Sequence, residues 1–310
     1  MSEMVSNDMA IPGSTIPDTP GHRLRRRITQ EFWFNLFRVA VAINGLALFI
    51  IIGYMVYFGL PAISWDFLTG QPTEGGLAGG IFPCIVGTLY LSIGSMALAL
   101  PLGVASAIYL HEYAMPGLVM RIIRLCINNL AGVPSVVFGL FGMAFFVAAR
   151  DLGGLGMGVS IAAGCMTLAV LILPVIIGTS EEALRSVPDT YREASLGLGA
   201  TKWQTVFRVV LPSAMPGILT GSILSISRAA GETAAIMFTA AASYNPTLPS
   251  SIFDEVMALP YQIYSLSVSS TNPEATLPLQ YATSLVLVTM VLGMNLIAIF
   301  LRSHLRKKLG

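Results

Sequence analysis

Glu181-Glu182-Ala183-Leu184-Arg185-Ser186-Val187-Pro188-Asp189-Thr190-Tyr191-Arg192-Glu193-Ala194-Ser195-Leu196-Gly197-Leu198-Gly199-Ala200-Thr201-Lys202-Trp203 is a charged stretch set between two apolar runs, residues 159–178 and 217–243. Its own residues predict three short helices. Pro188 stops the first, Asp189 or Thr190 can cap the second, and Gly197 and Gly199 end it. Thr201 can cap a third, which runs to Val210 before Leu211-Pro212. On local features alone, an ordinary connector of mixed charge is an equally good reading.

The flanking runs belong to a wider pattern. The chain is 55% hydrophobic and 11% charged, where a soluble domain carries about a quarter charged residues. Mean hydropathy is +0.75. The apolar residues gather into runs of about twenty or more, the length a helix needs to cross about 30 Å of hydrocarbon. Six spans are predicted, at residues 34–58, 82–110, 123–149, 159–178, 217–243 and 281–301. Backbone groups in lipid must be satisfied internally, so these runs are expected to be helices and the fold class all-α. Their internal glycines and prolines, Pro101, Gly139 and Pro174 among them, are common in membrane helices.

Basic residues set the expected orientation. Arg23, Arg25, Arg26, Arg27 and Arg38 flank the first span, Arg121 and Arg124 follow the second, and Arg185, Arg192, Lys202 and Arg208 follow the fourth. Arg302, Arg306, Lys307 and Lys308 follow the sixth. With six crossings all of these lie on one side, leaving only Arg150 opposite and Arg228 deep within a span. The positive-inside rule then puts both termini in the cytoplasm. Residues 1–33 read as a basic cytoplasmic tail, largely disordered up to about Gly21, and 302–310 as a second basic tail. The first helix would act as an uncleaved signal anchor.

Two segments on the other side are long. The first contains Glu74-Gly75-Gly76-Leu77-Ala78-Gly79-Gly80, which lacks the following Lys of a phosphate-cradling loop and reads as a flexible turn. The second, residues 244–280, contains an amphipathic piece at 251–264 suited to lying on or dipping into the outer interface. Cys84, Cys126 and Cys165 have no CxxC spacing and read as small hydrophobes, while His22, His111 and His304 are mutually isolated. Neither a disulfide framework nor a metal site is expected. No nucleophile–base pair emerges, since Ser135 has no nearby His or Asp. No Gly-Lys dipeptide occurs, so the chain has no Walker A loop and is not itself an ATPase.

Glu193-Ala194-Ser195, then Gly199, then Val209-x-Leu211-Pro212 resembles the EAA motif of binding-protein-dependent ABC importer permeases, Glu-Ala-Ala, three residues, Gly, nine residues, Ile-x-Leu-Pro. The spacing matches throughout; Ser195 and Val209 are conservative departures. The resemblance implies the MetI-like fold of type I importers, with residues 179–215 as a coupling loop. It also implies that Glu193, Ala194, Ser195, Gly199, Leu211 and Pro212 belong to the ATPase-coupling segment.

The fifth span contains Ser227-Arg228-Ala229-Ala230-Gly231-Glu232-Thr233. Arg228 falls near mid-depth, where a charge costs about 2.5–3.5 kcal/mol on insertion scales. In a continuous helix Arg228 and Glu232, four apart, share a face with Gly221, Ser225, Ala235 and Thr239. One reading is an ion pair that fixes packing; the other is an anion pathway, because guanidinium matches phosphate or carboxylate with paired hydrogen bonds.

The Arg and Gly-Glu-Thr of this helix are similar to those of phosphate-specific ABC transporters. Val133-Pro134-Ser135-Val136-Val137-Phe138-Gly139-Leu140 and Leu259-Pro260-Tyr261-Gln262-Ile263-Tyr264 agree, the latter resembling the PstA-type family of permeases. The resemblance implies an inorganic phosphate importer of the bacterial inner membrane. Implied partners are a PstC-type permease, a homodimeric PstB-type ATPase that uses ATP and Mg, an extracytoplasmic phosphate-binding protein and membrane lipid, with no nucleic acid. Ser227, Arg228, Glu232 and Thr233 would line the pathway or gate. Sulfate or molybdate import, or a membrane-embedded sensor or scaffold, are the alternatives.

Overall fold

The computed structural model describes residues 20–309 apart from 77, 149–150, 152, 243 and 269–272. The expected disorder before about Gly21 therefore falls mostly outside the described residues, as does Arg150. The elements are nearly all helical. They run α1 (Pro20–Gly59), α2 (Trp65–Thr69), a hairpin of β1 (Pro72–Thr73) and β2 (Ala78–Gly79), α3 (Phe82–Ile108), α4 (Leu118–Ala131), α5 (Ser135–Gly142) and α6 (Ile161–Arg185). They continue as α7 (Asp189–Gly197), α8 (Lys202–Thr205), α9 (Leu211–Ala230), α10 (Ala234–Met237), α11 (Leu259–Val268) and α12 (Pro273–Leu309). Among the described residues, five helices are long and apolar enough to cross a membrane, or six if α4 and α5 count as one bent span.

The chain divides into two units between Tyr54 and Met55, inside α1. In the first, the polar side chains of the apolar helix bond locally: Arg38 donates to Asn35 at 3.1 Å and Asn44 to the Ala40 carbonyl at 2.9 Å. Helix starts at Pro20, so residues 20–33, expected as tail, are helical. At the other end α12 runs on to Leu309, so residues 302–309 are helix too.

The second unit is built around α3, α6 and α9. Small residues let these helices approach closely. A Cβ on Gly103 would meet Ile176, and one on Gly221 would overlap the Thr179 side chain. The core gathers Leu91, Leu168, Leu171, Ile172, Ile176 and Ile236, each at most 2% exposed.

Three expectations about continuity are corrected. The third span is not one helix: α4 and the helical stretch beginning with α5 meet at 101°. Pro134 has no N–H to donate and drives Val133 out of helical geometry. The fifth span does not continue to residue 243. α9 stops at Ala230, and beyond α10 the chain turns to non-local partners, with Ala242 N–H on the Val256 carbonyl at 3.0 Å and Val256 N–H on the Ala240 carbonyl at 3.1 Å. Nor does Leu211-Pro212 break the chain. A π-helical turn at Val206–Val210 hands the Leu211 N–H to the Val206 carbonyl, and the rod from Lys202 to Ala230 is continuous.

The segment leading into α11 is exposed at Ile252 and Phe253 and then folds back into the protein. Val256, Met257, Ala258, Leu259 and Pro260 are buried, and Leu259 N–H donates to Thr88 Oγ1 at 2.9 Å. The same segment caps α6: the Ser160, Ile161 and Ala162 amides donate to the carbonyls of Thr239, Asp254 and Ile252 at 2.8–3.0 Å. These donors would otherwise be orphans at a helix start. The glycine-rich stretch forms the β1–β2 turn, where Glu74, Gly75 and Gly76 all have positive φ and Gln262 donates to the Gly76 carbonyl at 2.6 Å.

Candidate functional site

The loop between α6 and α9 follows its sequence closely. Thr201 forms a full capping box with Gln204, as its position promised, and Gly199 ends the preceding turn at φ +83°. The cap of α7 differs: Pro188 takes that position, with no side chain donating or accepting there. α7 buries none of its residues, so polar ties hold it. Arg192, 15% exposed, donates to Glu112 Oε1 at 2.9 and 3.2 Å, to the Val187 and Leu184 carbonyls at 2.7 and 2.9 Å, and to Asp189 at 3.1 Å. Ser195, the departure from the EAA pattern, shares a 2.9 Å hydrogen bond with Thr205.

Glu193, Ala194 and Gly199 are exposed, beside the exposed apolar side chains of Tyr191, Leu196, Leu198 and Trp203. Exposed apolar patches of this kind are common at sites of protein or membrane contact. Leu211 and Pro212 are half-buried where the rod enters the helical core.

The second cluster lies around the end of α9. Arg228 is in the last turn of that helix, not at the middle of a longer one, and is exposed. Gly231 ends the helix, and Glu232, half-buried, lies in the break before α10 with Thr233. The two charges no longer share a helical face, and no ion pair joins them. Neither side chain has a hydrogen-bond partner among the described residues. The expected stripe divides too: Gly221 and Ser225 are buried, Gly221 against α6, while Arg228 stays open. Ser227 donates to the Ile223 carbonyl and to Asn295 Oδ1 on α12 at 2.7 Å.

The break is held from the side by α5. A Cβ on Gly139 would stand 2.8 Å from the Ala234 carbonyl and 3.1 Å from Ala235, so glycine permits this contact. Sequence reasoning missed Asn295, Glu112 and Tyr113. Asn295 is a lone amide inside the last apolar run, and Glu112 is the first acidic residue after the second; both signals were visible but carry no partner information.

Residues 99–310 match the family described as the inner membrane component of binding-protein-dependent transport systems. The chain belongs to this permease family. A relative from Bacillus subtilis (strain 168), the probable ABC transporter permease protein YqgI, is 35% identical over 92% of this chain and 99% of its own length. The phosphate transport system permease protein PstA 1 of Mycobacterium tuberculosis (strain CDC 1551 / Oshkosh) is 37% identical over 92% of this chain and 91% of its own. In fold, this permease resembles a chain of a bacterial ABC transporter that imports alginate, with a TM-score of 0.62 at 15% identity over 90% of this chain and 99% of that one. The resemblance drawn from the EAA spacing and the Gly-Glu-Thr stretch is thus borne out at the level of the family.

Proposed function

We propose that this chain is the PstA-type permease subunit of an ATP-driven inorganic phosphate importer and forms half of its translocation pathway. The observation that carries the reading is Arg228, an exposed guanidinium with no partner among the described residues, beside a break in a membrane helix. Irregular backbone at membrane depth is tolerated where it is buried in protein or lines a water-filled cavity. A free guanidinium there offers paired donors to a tetrahedral oxyanion. Ser227 and Thr233 add hydroxyls, and Glu232 keeps the local charge balanced when the pathway is empty. The names of the PstA relatives support phosphate over sulfate or molybdate.

In this reading a PstC-type permease completes the pathway, and a phosphate-binding protein delivers the anion from outside. A PstB-type ATPase homodimer, handling ATP and Mg, docks on Glu193, Ala194, Gly199 and their apolar neighbours. Both termini are cytoplasmic, in the bacterial inner membrane. The test is uptake of radiolabelled phosphate in cells without other phosphate transporters, with sulfate and molybdate as competitors. Arg228→Gln lowers uptake by roughly tenfold or more at unchanged membrane abundance. Normal uptake by that variant would sink the assignment, and preferential competition by sulfate or molybdate would reassign the cargo.

A further inference from the structure

α3 continues beyond Ile108 into a π-helical turn, Tyr109–Tyr113, with the Ala114 N–H reaching back to the Tyr109 carbonyl at 2.9 Å. π turns are rare and often mark functional positions. Its final two residues touch both arms of the exposed loop. Glu112, 8% exposed, receives Arg192 of α7, and the Tyr113 ring lies 5.1 Å from Nζ of Lys202 at the start of α8. His111 stands beside the same pair, with Nε2 3.5 Å from Arg192 and 3.9 Å from Glu112. Close by, Arg124 of α4 bridges Glu181 of α6 at 2.7 Å and donates to the Leu110 carbonyl at 3.1 Å.

We propose that the π-helical end of α3 is the receiving point for force applied to the loop, with Arg192 as the strut and Glu112 as its seat. The apolar side chains of α7, Tyr191, Ala194 and Leu196, are all exposed, so a push on it is not passed on through apolar packing of its own. Arg192 gathers the load instead, because its five donors reach the Leu184 carbonyl of α6, the Val187 carbonyl beyond it, Asp189 of α7 and Glu112 at once. A planar guanidinium with every direction occupied resists displacement in a way a single ion pair does not. Both residues are positioning residues, and neither touches the transported anion.

The inference rests on the reading of the loop as the ATPase docking point. Glu112→Ala is the informative variant, because it removes the α3 end of the strut and leaves the contacts of Arg192 to Leu184, Val187 and Asp189. Spin labels at Thr190 on α7 and Ala105 on α3, in a Cys126→Ser background, report whether the two move together in the ATPase-bound complex with and without trapped ATP. In the parent the distance stays fixed; in Glu112→Ala it changes on ATP trapping. Phosphate uptake falls about tenfold while ATP hydrolysis and ATPase retention stay within roughly twofold, and Glu112→Gln, which keeps an acceptor, recovers at least about half of the uptake. A fixed distance in Glu112→Ala, or a moving one in the parent, overturns the strut. Loss of ATPase retention in Glu112→Ala overturns it as well, by showing a merely structural role. The distance readout is independent of cargo, so failure of phosphate uptake in the parent would strike the phosphate reading alone.

Discussion

Two arginines divide the molecule between them. Arg192, in the exposed loop, is largely buried and saturated, with a carboxylate, a second carboxylate and two carbonyls on its donors. Arg228, at the end of a membrane helix, is exposed and has none among the described residues. Burial would lead one to expect the reverse, since the charge inside the apolar run is the one that most needs compensation. The difference teaches what each is for. A saturated charge fixes geometry; an open one in an expensive place suits the transient anion proposed above.

That contrast can be broken most directly by removing each charge in turn. Arg192→Met leaves Glu112, 8% exposed, without its partner, and breaking a buried pair in this way costs about 3–5 kcal/mol. Arg228→Met removes no internal contact and should change stability by no more than about 0.5 kcal/mol. Thermal unfolding of the two purified variants in one detergent checks this, and equal losses would dissolve the distinction. A smaller effect attends Ser195→Ala, which deletes the 2.9 Å bond to Thr205 and should cost about 0.5–1.5 kcal/mol. If the variant is as stable as the parent, that hydroxyl pair does not help to hold α7.

The least effect concerns an exposed but satisfied charge. Asp254 accepts from the backbone amides of Ser251 and Ser250 and from the Ser250 hydroxyl, which hold its carboxyl below the usual carboxylate range. A carboxyl lowered by folding contributes its stability above the ordinary range and loses it as the pH falls through the lowered value. Protease susceptibility of the chain around Ser250 and Ser251 should therefore rise only in strong acid. In Asp254→Ala it should be raised already at neutral pH. An identical pH profile in both would remove the role.

The helices that cross in one piece were legible because lipid leaves little choice: apolar length implies a helix. The loop was legible because its signals are local, as with Thr201 facing Gln204 or Gly199 at positive φ. The end of α9 was not. Apart from Glu232 and two threonines, residues 229–242 are apolar and mostly small, so they read as continued helix, yet Thr239, Ala240 and Ala242 take backbone partners at Ser160 and Val256, far along the chain. Arg228 and Glu232 were found by charge, but their pairing was inferred from a helical spacing that stops at Ala230. Glu112 could be seen as a charge, and only the fold shows that it faces Arg192.

The turn at Val206–Val210 has a consequence for lineage as well as for shape. By shifting the ladder from four residues to five, it absorbs one residue and sets everything downstream back by about 100° relative to an unbroken α-helix of the same length. A cousin that kept the π turn but lacked one residue before it would lose the nine-residue spacing of the motif and aim its counterpart of Arg228 at a different neighbour. The number of residues between Gly199 and Arg228 is therefore a sterner criterion of shared mechanism than overall identity.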